Sequence, residues 1–179
     1  MAVLTRTMKI SVVKIRCTMS DDEGAGNDAD MDRFNIYATP IDGLTAAAAE
    51  KLTEAEKQKK TVKPVVPLWN WSTSGEVTVT VGYDFVSAWN LNLYSTVDFK
   101  SSENTFDIGQ AQLVLSVDHR EYDTHGGDEY GSASMTLVGL HNDKKSGILD
   151  NEGMHTVNCR SADAGFDVIF KIEEVDEDE

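Results

Sequence analysis

Residues 111–117 (AQLVLSV) lead directly into residues 118–137 (DHREYDTHGGDEYGSASMTL), and this stretch decides the fold. Every odd-numbered residue from 111 to 117 is apolar, and the polar Gln112 follows the first of them. A period of two with one apolar face predicts a β-strand that is buried on one side. Gly126 and Gly127 allow the chain to turn back tightly before the next apolar positions. The stretch therefore predicts an antiparallel hairpin with an acidic loop.

The same alternation recurs along most of the chain. It predicts strands at residues 8–18, 33–39, 77–83, 85–99, 111–117, 135–140, 154–160 and 166–172. A change of parity at Val12 and Val13 predicts a β-bulge in the first strand. About eight strands with turn-rich joints predict a mainly β protein, an antiparallel β-sandwich, with a jelly roll or a closed barrel as the alternative.

Residues 44–60 interrupt this β pattern. Leu44 and Leu52 recur at helical spacing in a run of Ala, Glu, Lys and Gln, which favours a helix. Because its apolar stripe is mostly alanine, we expect a weakly packed helical insertion on the surface. Thr53 followed by Glu56 is the pattern of a capping box and predicts the start of a second short helix.

The chain has 179 residues, which suits one domain over residues 1–172 followed by an acidic tail at 173–179. Its net charge of −15 is concentrated, because residues 20–32, 118–129 and 173–179 contain 17 of the 31 acidic residues. The rest of the chain has 14 acidic residues against 15 basic ones and is nearly neutral. This charge argues against a nucleic-acid partner, since such binding depends on Lys and Arg at phosphates. An anionic membrane would need a bridging cation.

The first 17 residues contain interspersed basic side chains and no continuous apolar segment, so they do not resemble a secretory signal. No run of apolar residues approaches the ~20 that span a bilayer. We expect a cytoplasmic protein, one released by a signal-free route, or a mature form. Cys17 and Cys159 lie on predicted strands without metal-like spacing, and we expect free buried thiols, a disulfide across the sandwich being the alternative.

Carboxylates crowd the acidic loop of the opening hairpin, where Asp118, Asp123 and Asp128 lie close in sequence. Carboxylates on one turn repel one another, and a Ca²⁺ ion, which takes six to eight oxygens at ~2.3–2.6 Å, reverses that preference. The loop therefore predicts a calcium site, and solvated surface turns are the alternative. His119 and His125 flank the same loop, which leaves a metal-dependent hydrolase as a further alternative.

A family resemblance rests on two stretches, residues 9–38 (KISVVKIRCTMSDDEGAGNDADMDRFNIYA) and residues 117–137 (VDHREYDTHGGDEYGSASMTL). Each places an Asp/Gly loop between two strands, and together they resemble the first and second calcium loops of C2 domains. The resemblance implies a C2-like sandwich that binds Ca²⁺. It implies ligands at Asp22 and Asp28 in the first loop, and at Asp118, Asp123 and Asp128 in the second.

Trp69 and Trp71 form the densest aromatic position of the chain and share one parity. We expect at least one of them to pack in the core; an exposed pair would form a partner-binding surface. These features together predict a non-catalytic binding or assembly module with calcium-binding loops, which contacts a protein partner, a glycan, a membrane or another copy of itself. The alternative is a structural subunit of a virion or another large assembly.

Overall fold

A computed structural model of the chain describes residues 4–21, 27–101, 110–123, 126–138 and 153–175. Eight strands and three short helices lie within these ranges. They are β1 (Leu4–Ser20), β2 (Asp28–Ile41), α1 (Ala46–Ala49), α2 (Glu54–Thr61), β3 (Val66–Thr80), α3 (Phe85–Trp89), β4 (Leu93–Ser101), β5 (Gln112–Glu121), β6 (Glu129–Val138), β7 (Gly153–Arg160) and β8 (Ala164–Glu174).

The strands form two four-stranded antiparallel sheets, with the orders β4-β1-β8-β7 and β3-β2-β5-β6. Alternate residues of the central strands are buried between the sheets, as Leu113, Leu115 and Val117 of β5 illustrate. The predicted antiparallel β-sandwich is confirmed, and the apolar faces of the two sheets are buried against each other.

Several register shifts shape the sheets, and two of them matter here. The first lies between Val12 and Lys14 of β1, where the parity change predicted a bulge. The second lies in β2, where Met31 pairs with Val77 of β3 but Arg33 pairs with Ser72. Four residues of β3, numbers 73–76, therefore lie opposite a single residue of β2. β3 is an edge strand, where such an irregularity is tolerated because its outer side makes no ladder.

The insertion between β2 and β3 contains two short helices rather than one long one. Thr53 and Glu56 form the predicted capping box at the start of α2: the Thr53 amide donates to Glu56 Oε2 at 2.9 Å, and the Glu56 amide donates to Thr53 Oγ1 at 3.4 Å. Leu44 and Leu52 are only half-buried. The weak packing expected from the alanine stripe agrees with this.

The strand prediction for residues 85–99 is wrong in its first part, which is the helix α3. The side chain of Asp84 accepts a hydrogen bond from the Val86 amide at 3.0 Å and caps this helix. Phe85 and Trp89 are four residues apart, so they share a helix face as readily as a strand face. Asn90 ends the helix in the left-handed conformation, with a φ of 52°.

Three connections turn at one end of the sandwich, which we call the hairpin end: the β1–β2 crossover between the sheets and the β5–β6 and β7–β8 hairpins. Its described loop residues include Asp21, Tyr122 and Asp163. The Asp21 amide donates to the carbonyl of Asp163 at 2.9 Å, which joins the β1–β2 connection to the β7–β8 hairpin. The Tyr122 amide donates to the carbonyl of Asp30 at 2.7 Å, which joins β5 to β2. The acidic stretches at residues 20–32 and 118–129 are far apart in sequence, and their described residues meet at the hairpin end.

Candidate functional site

The residues predicted to bind calcium do not all lie in loops. Asp118 lies inside β5, on the outer face of its sheet, where its carboxylate accepts hydrogen bonds from Asn35 Nδ2 at 2.7 Å and from the Tyr37 hydroxyl at 3.0 Å. The placement of Asp118 in the loop was therefore wrong, because β5 continues as far as Glu121. Asp118 faces the middle of the sheet and is satisfied there by side chains of β2.

The other predicted ligands occupy separate positions. Asp123 follows β5, and its carboxylate lies over Gly126, where an added Cβ would meet Asp123 Oδ2 at 2.1 Å. Asp128 precedes β6 and forms an ion pair with Arg120, with Oδ2 3.3 Å from Nη1. Asp28 begins β2 opposite Thr80, and Asp22 lies outside the described residues. In the part of the chain that the structure describes, no group of three or more His, Cys, Asp or Glu side chains could hold a metal ion.

Arg120 places a positive charge between two carboxylates, those of Asp32 and Asp128. Its Nε donates to Oδ1 of Asp32 at 2.8 Å, and its Nη2 donates to Oδ2, which makes a two-pronged pair with a carboxylate that is only 4% exposed. Hydrogen bonds with Asp32 and with Tyr130 raise the pKa of Arg120, as do the charges of Asp32 and Asp128. The guanidinium therefore stays charged and holds β2, β5 and the start of β6 together.

Beside this pair lies a cavity of about 450 Å³, which we call the bulge pocket; it is lined by Asp32, residues 73–76, Arg120 and Tyr122. The pocket lies where residues 73–76 have no partners on β2. Its volume lies within the ~300–1,000 Å³ range of small-molecule sites. The sequence reasoning missed this site, although the Ser-Thr-Ser-Gly run at 72–75 within a strand pattern is a signal of a bulge.

A second buried carboxyl lies at the hairpin end. Glu121 is 4% exposed, and its Oε2 has no hydrogen-bond partner, while the Asp30 amide lies 3.5 Å from Oε1. Burial raises the pKa of Glu121 to about 7, and the negative charges of Asp123, Asp163 and Glu129 add to the effect. This carboxyl is therefore poised to change its charge near neutral pH.

A cysteine and a histidine meet inside the core. Cys159 Sγ lies 3.4 Å from Nδ1 of His119, which is 1% exposed and stacks on Phe34 with ring centroids 5.7 Å apart. Burial lowers the pKa of His119 to about 4 and raises that of Cys159 to about 12. The pair is therefore a neutral thiol beside a neutral imidazole. Both cysteines are free and buried, as predicted.

Trp69 and Trp71 lie on the inner face of β3 and are half-buried against the core. Their rings stack with centroids 5.8 Å apart, and both make edge contacts with Trp89. Trp69 also stacks on Phe34 at 5.7 Å. The expected core packing is seen for both rings, and partner binding through their exposed parts stays a prediction.

We expect Trp69→Ala to lower the free energy of unfolding by about 2 kcal/mol, roughly half the loss for a fully buried tryptophan, because the ring keeps some contact with solvent. Urea denaturation measures the change. Tyr94→Ala is the matched control, since Tyr94 is 54% exposed and should cost less than about 1 kcal/mol. Equal stability of the Trp69 variant and the parent protein would contradict the packing seen here.

Within the described ranges, no helix has the length and apolar character that crossing a membrane requires. No family model matches the chain, and no curated protein is significantly similar to it.

Proposed function

We propose that this protein is a non-catalytic binding module that holds a small polar ligand in the bulge pocket. The observation that carries the proposal is the pocket itself, a cavity of about 450 Å³ beside a two-pronged ion pair whose carboxylate is buried. The pair joins the two central strands of one sheet, so its polar groups are held in place before a ligand arrives. Sites of this kind favour recognition because the protein groups lose little conformational freedom on binding.

The chemistry of the titratable groups supports a non-catalytic role. In the bulge pocket, both oxygens of Asp32 accept hydrogen bonds from Arg120, so this carboxylate already serves in a structural pair. The nucleophile-like pair Cys159 and His119 is buried in the core, and the raised pKa of the thiol opposes formation of a thiolate. Binding is therefore the simplest use of the groups that face solvent.

The test is protein-observed NMR with a chemically mixed fragment library. We expect the amide signals of residues 73–76 and 120–122 to shift for a common set of hits. Gly75→Leu should abolish these shifts, because it adds a bulky side chain to the lining of the pocket. The fold should be retained, because a Cβ at this position meets no atom within 4 Å. Hits scattered over other surfaces, or hits that survive Gly75→Leu, would overturn the proposal.

Calcium binding at the hairpin end is a further part of the proposal. Asp28 and Asp123 lie at this end, and carboxylate oxygens are the usual calcium ligands, but the described side chains alone do not bring three of them together. Asp118 is bound to Asn35 and Tyr37 on the sheet face instead, so it is not expected to contribute.

We expect Ca²⁺ to stabilise the metal-stripped protein by about 1.4 kcal/mol when its free concentration is about ten times Kd, since it binds only the folded state. Thermal melts with and without millimolar Ca²⁺ measure this. Asp123→Asn should remove most of the gain, whereas Asp118→Asn, the matched control, should keep it. Superimposable melts of the parent protein with and without Ca²⁺ would rule out the site.

A further inference from the structure

The walls of the bulge pocket combine two kinds of surface. Thr73, Ser74 and the ion pair of Asp32 with Arg120 supply polar groups, and Tyr122, which is 39% exposed, supplies an aromatic ring. A tyrosine ring has an apolar body and a polar tip, so it can cover the C–H face of a ligand while its hydroxyl remains hydrated. The ligand therefore needs an apolar face and polar edges.

The ion pair at the base of the pocket offers donors and acceptors side by side. A guanidinium has five N–H donors and a carboxylate about four acceptor sites. Arg120 bonds to Asp32 twice and also to Asp128 and Tyr130, which leaves about one donor on Arg120 and about two acceptor sites on Asp32. Neighbouring hydroxyl groups, each both donor and acceptor, complement such a pair. The hydroxyls of Thr73 and Ser74 add groups of the same adaptable kind.

The charges in and around the bulge pocket disfavour an anionic ligand and contribute little to the binding of a cation. Asp32, Glu76 and Asp128 carry three negative charges against the positive charges of Arg120 and of Arg33, its neighbour across the sheet, so the surroundings stay net negative and disfavour an anionic ligand. Asp32 and Asp128 are both paired with Arg120, which leaves Glu76, an exposed residue of the rim, to attract a cation. An exposed carboxylate contributes little to such an attraction, because water and salt screen it.

We infer that the ligand of the bulge pocket is a neutral polyhydroxyl compound, a carbohydrate of one or two sugar rings. This inference rests on the proposed function and narrows it to one chemical class. The sugar lies with its C–H face on Tyr122, and its hydroxyls bind Asp32, Arg120 and Thr73.

The test is NMR titration at millimolar concentration with four neutral methyl glycosides (of glucose, galactose, mannose and N-acetylglucosamine) and with maltose, cellobiose and lactose. Spermidine and inorganic sulfate are the cationic and anionic comparisons. We expect at least one neutral sugar to shift the amides of residues 73–76 and 120–122. Tyr122→Ala should weaken that binding at least tenfold, whereas Tyr94→Ala, an exposed tyrosine of the other sheet, should leave it unchanged.

Glu76→Gln separates sugar binding from cation binding. Sugar affinity should change less than threefold in this variant, whereas any spermidine binding at the same pocket should weaken by more than that. If none of the sugars shifts the pocket amides, or if Tyr122→Ala leaves their affinity unchanged, the inference is overturned. Spermidine or sulfate shifts that Gly75→Leu abolishes would overturn the sugar class while keeping the pocket as a binding site. If neither the sugars nor spermidine nor sulfate shifts the pocket amides, and the fragment library also gives no hits there, the proposed function is overturned as well.

Discussion

Replacing Arg120 with methionine is expected to lower the free energy of unfolding by about 3–4 kcal/mol. The change leaves the carboxylate of Asp32, whose side chain is 6% exposed, without its two-pronged partner. Removing one partner of a buried pair costs about 3–5 kcal/mol, because an uncompensated charge remains in a poorly solvated site. The loss should lie toward the lower end, since the Arg120 side chain itself is 22% exposed. Urea denaturation at neutral pH measures it.

Two further variants show whether the unpaired charge is the cause. Asp32→Asn combined with Arg120→Met removes both charges and should recover at least half of the loss, because neutral replacement of a whole pair is often tolerated. Lys171→Met breaks an exposed pair with Glu173 and should change stability by less than about 0.5 kcal/mol. A double variant as unstable as Arg120→Met alone would assign the loss to packing rather than to charge.

Two buried groups should give opposite dependences of stability on pH. The pKa of Glu121 is raised from 4.5 to about 7 in the folded protein. Its stabilising contribution is therefore fully present below pH 4.5 and is lost as the pH rises through 7. The pKa of His119 is lowered from 6.5 to about 4, so its contribution is present above pH 6.5 and is lost as the pH falls through 4. Each change amounts to at most about 3 kcal/mol, at 1.36 kcal/mol for each pKa unit.

Because the two windows overlap, single variants are needed to separate them. Glu121→Gln should gain up to about 3 kcal/mol on the parent protein between pH 4.5 and pH 8, because the glutamine does not ionise. His119→Gln should lack the loss of stability that the imidazole causes between pH 6.5 and pH 4, although its overall stability is lower through lost stacking. Glu50→Gln removes the same charge from an exposed position and controls for net charge. Parallel pH profiles for Glu121→Gln and Glu50→Gln would contradict the burial of the Glu121 carboxyl.

The predicted loop position of Asp118 differs from the structure for a reason that lies in the strand geometry. Asp118 and Arg120 of β5 point to the outer face, and His119 and Glu121 point to the core, because successive residues of a strand alternate. The sequence pattern predicts a strand that ends at Val117, which places these four residues in one acidic loop. Continuing the same alternation through Glu121 would have separated them.

Local patterns were sufficient wherever a short stretch contains the whole cause. The alternation of the strands determined the sandwich, because burial of every second side chain needs only the neighbouring residues to be recognised. The bulge at Val12 and the capping box of Thr53 with Glu56 are equally local, and both are present. The helix α3 was missed because Phe85 and Trp89 satisfy helical and strand periodicity alike.

The candidate site, in contrast, was decided by the tertiary structure. Asp32 and Arg120 are 88 positions apart in sequence, and their pairing depends on the register between β2 and β5. The bulge pocket depends on four residues of β3 that have no partners on β2, a mismatch set by two strands together. A sequence pattern reports which face of a strand is buried. It does not report which strands become neighbours, and the neighbours determine which charges meet.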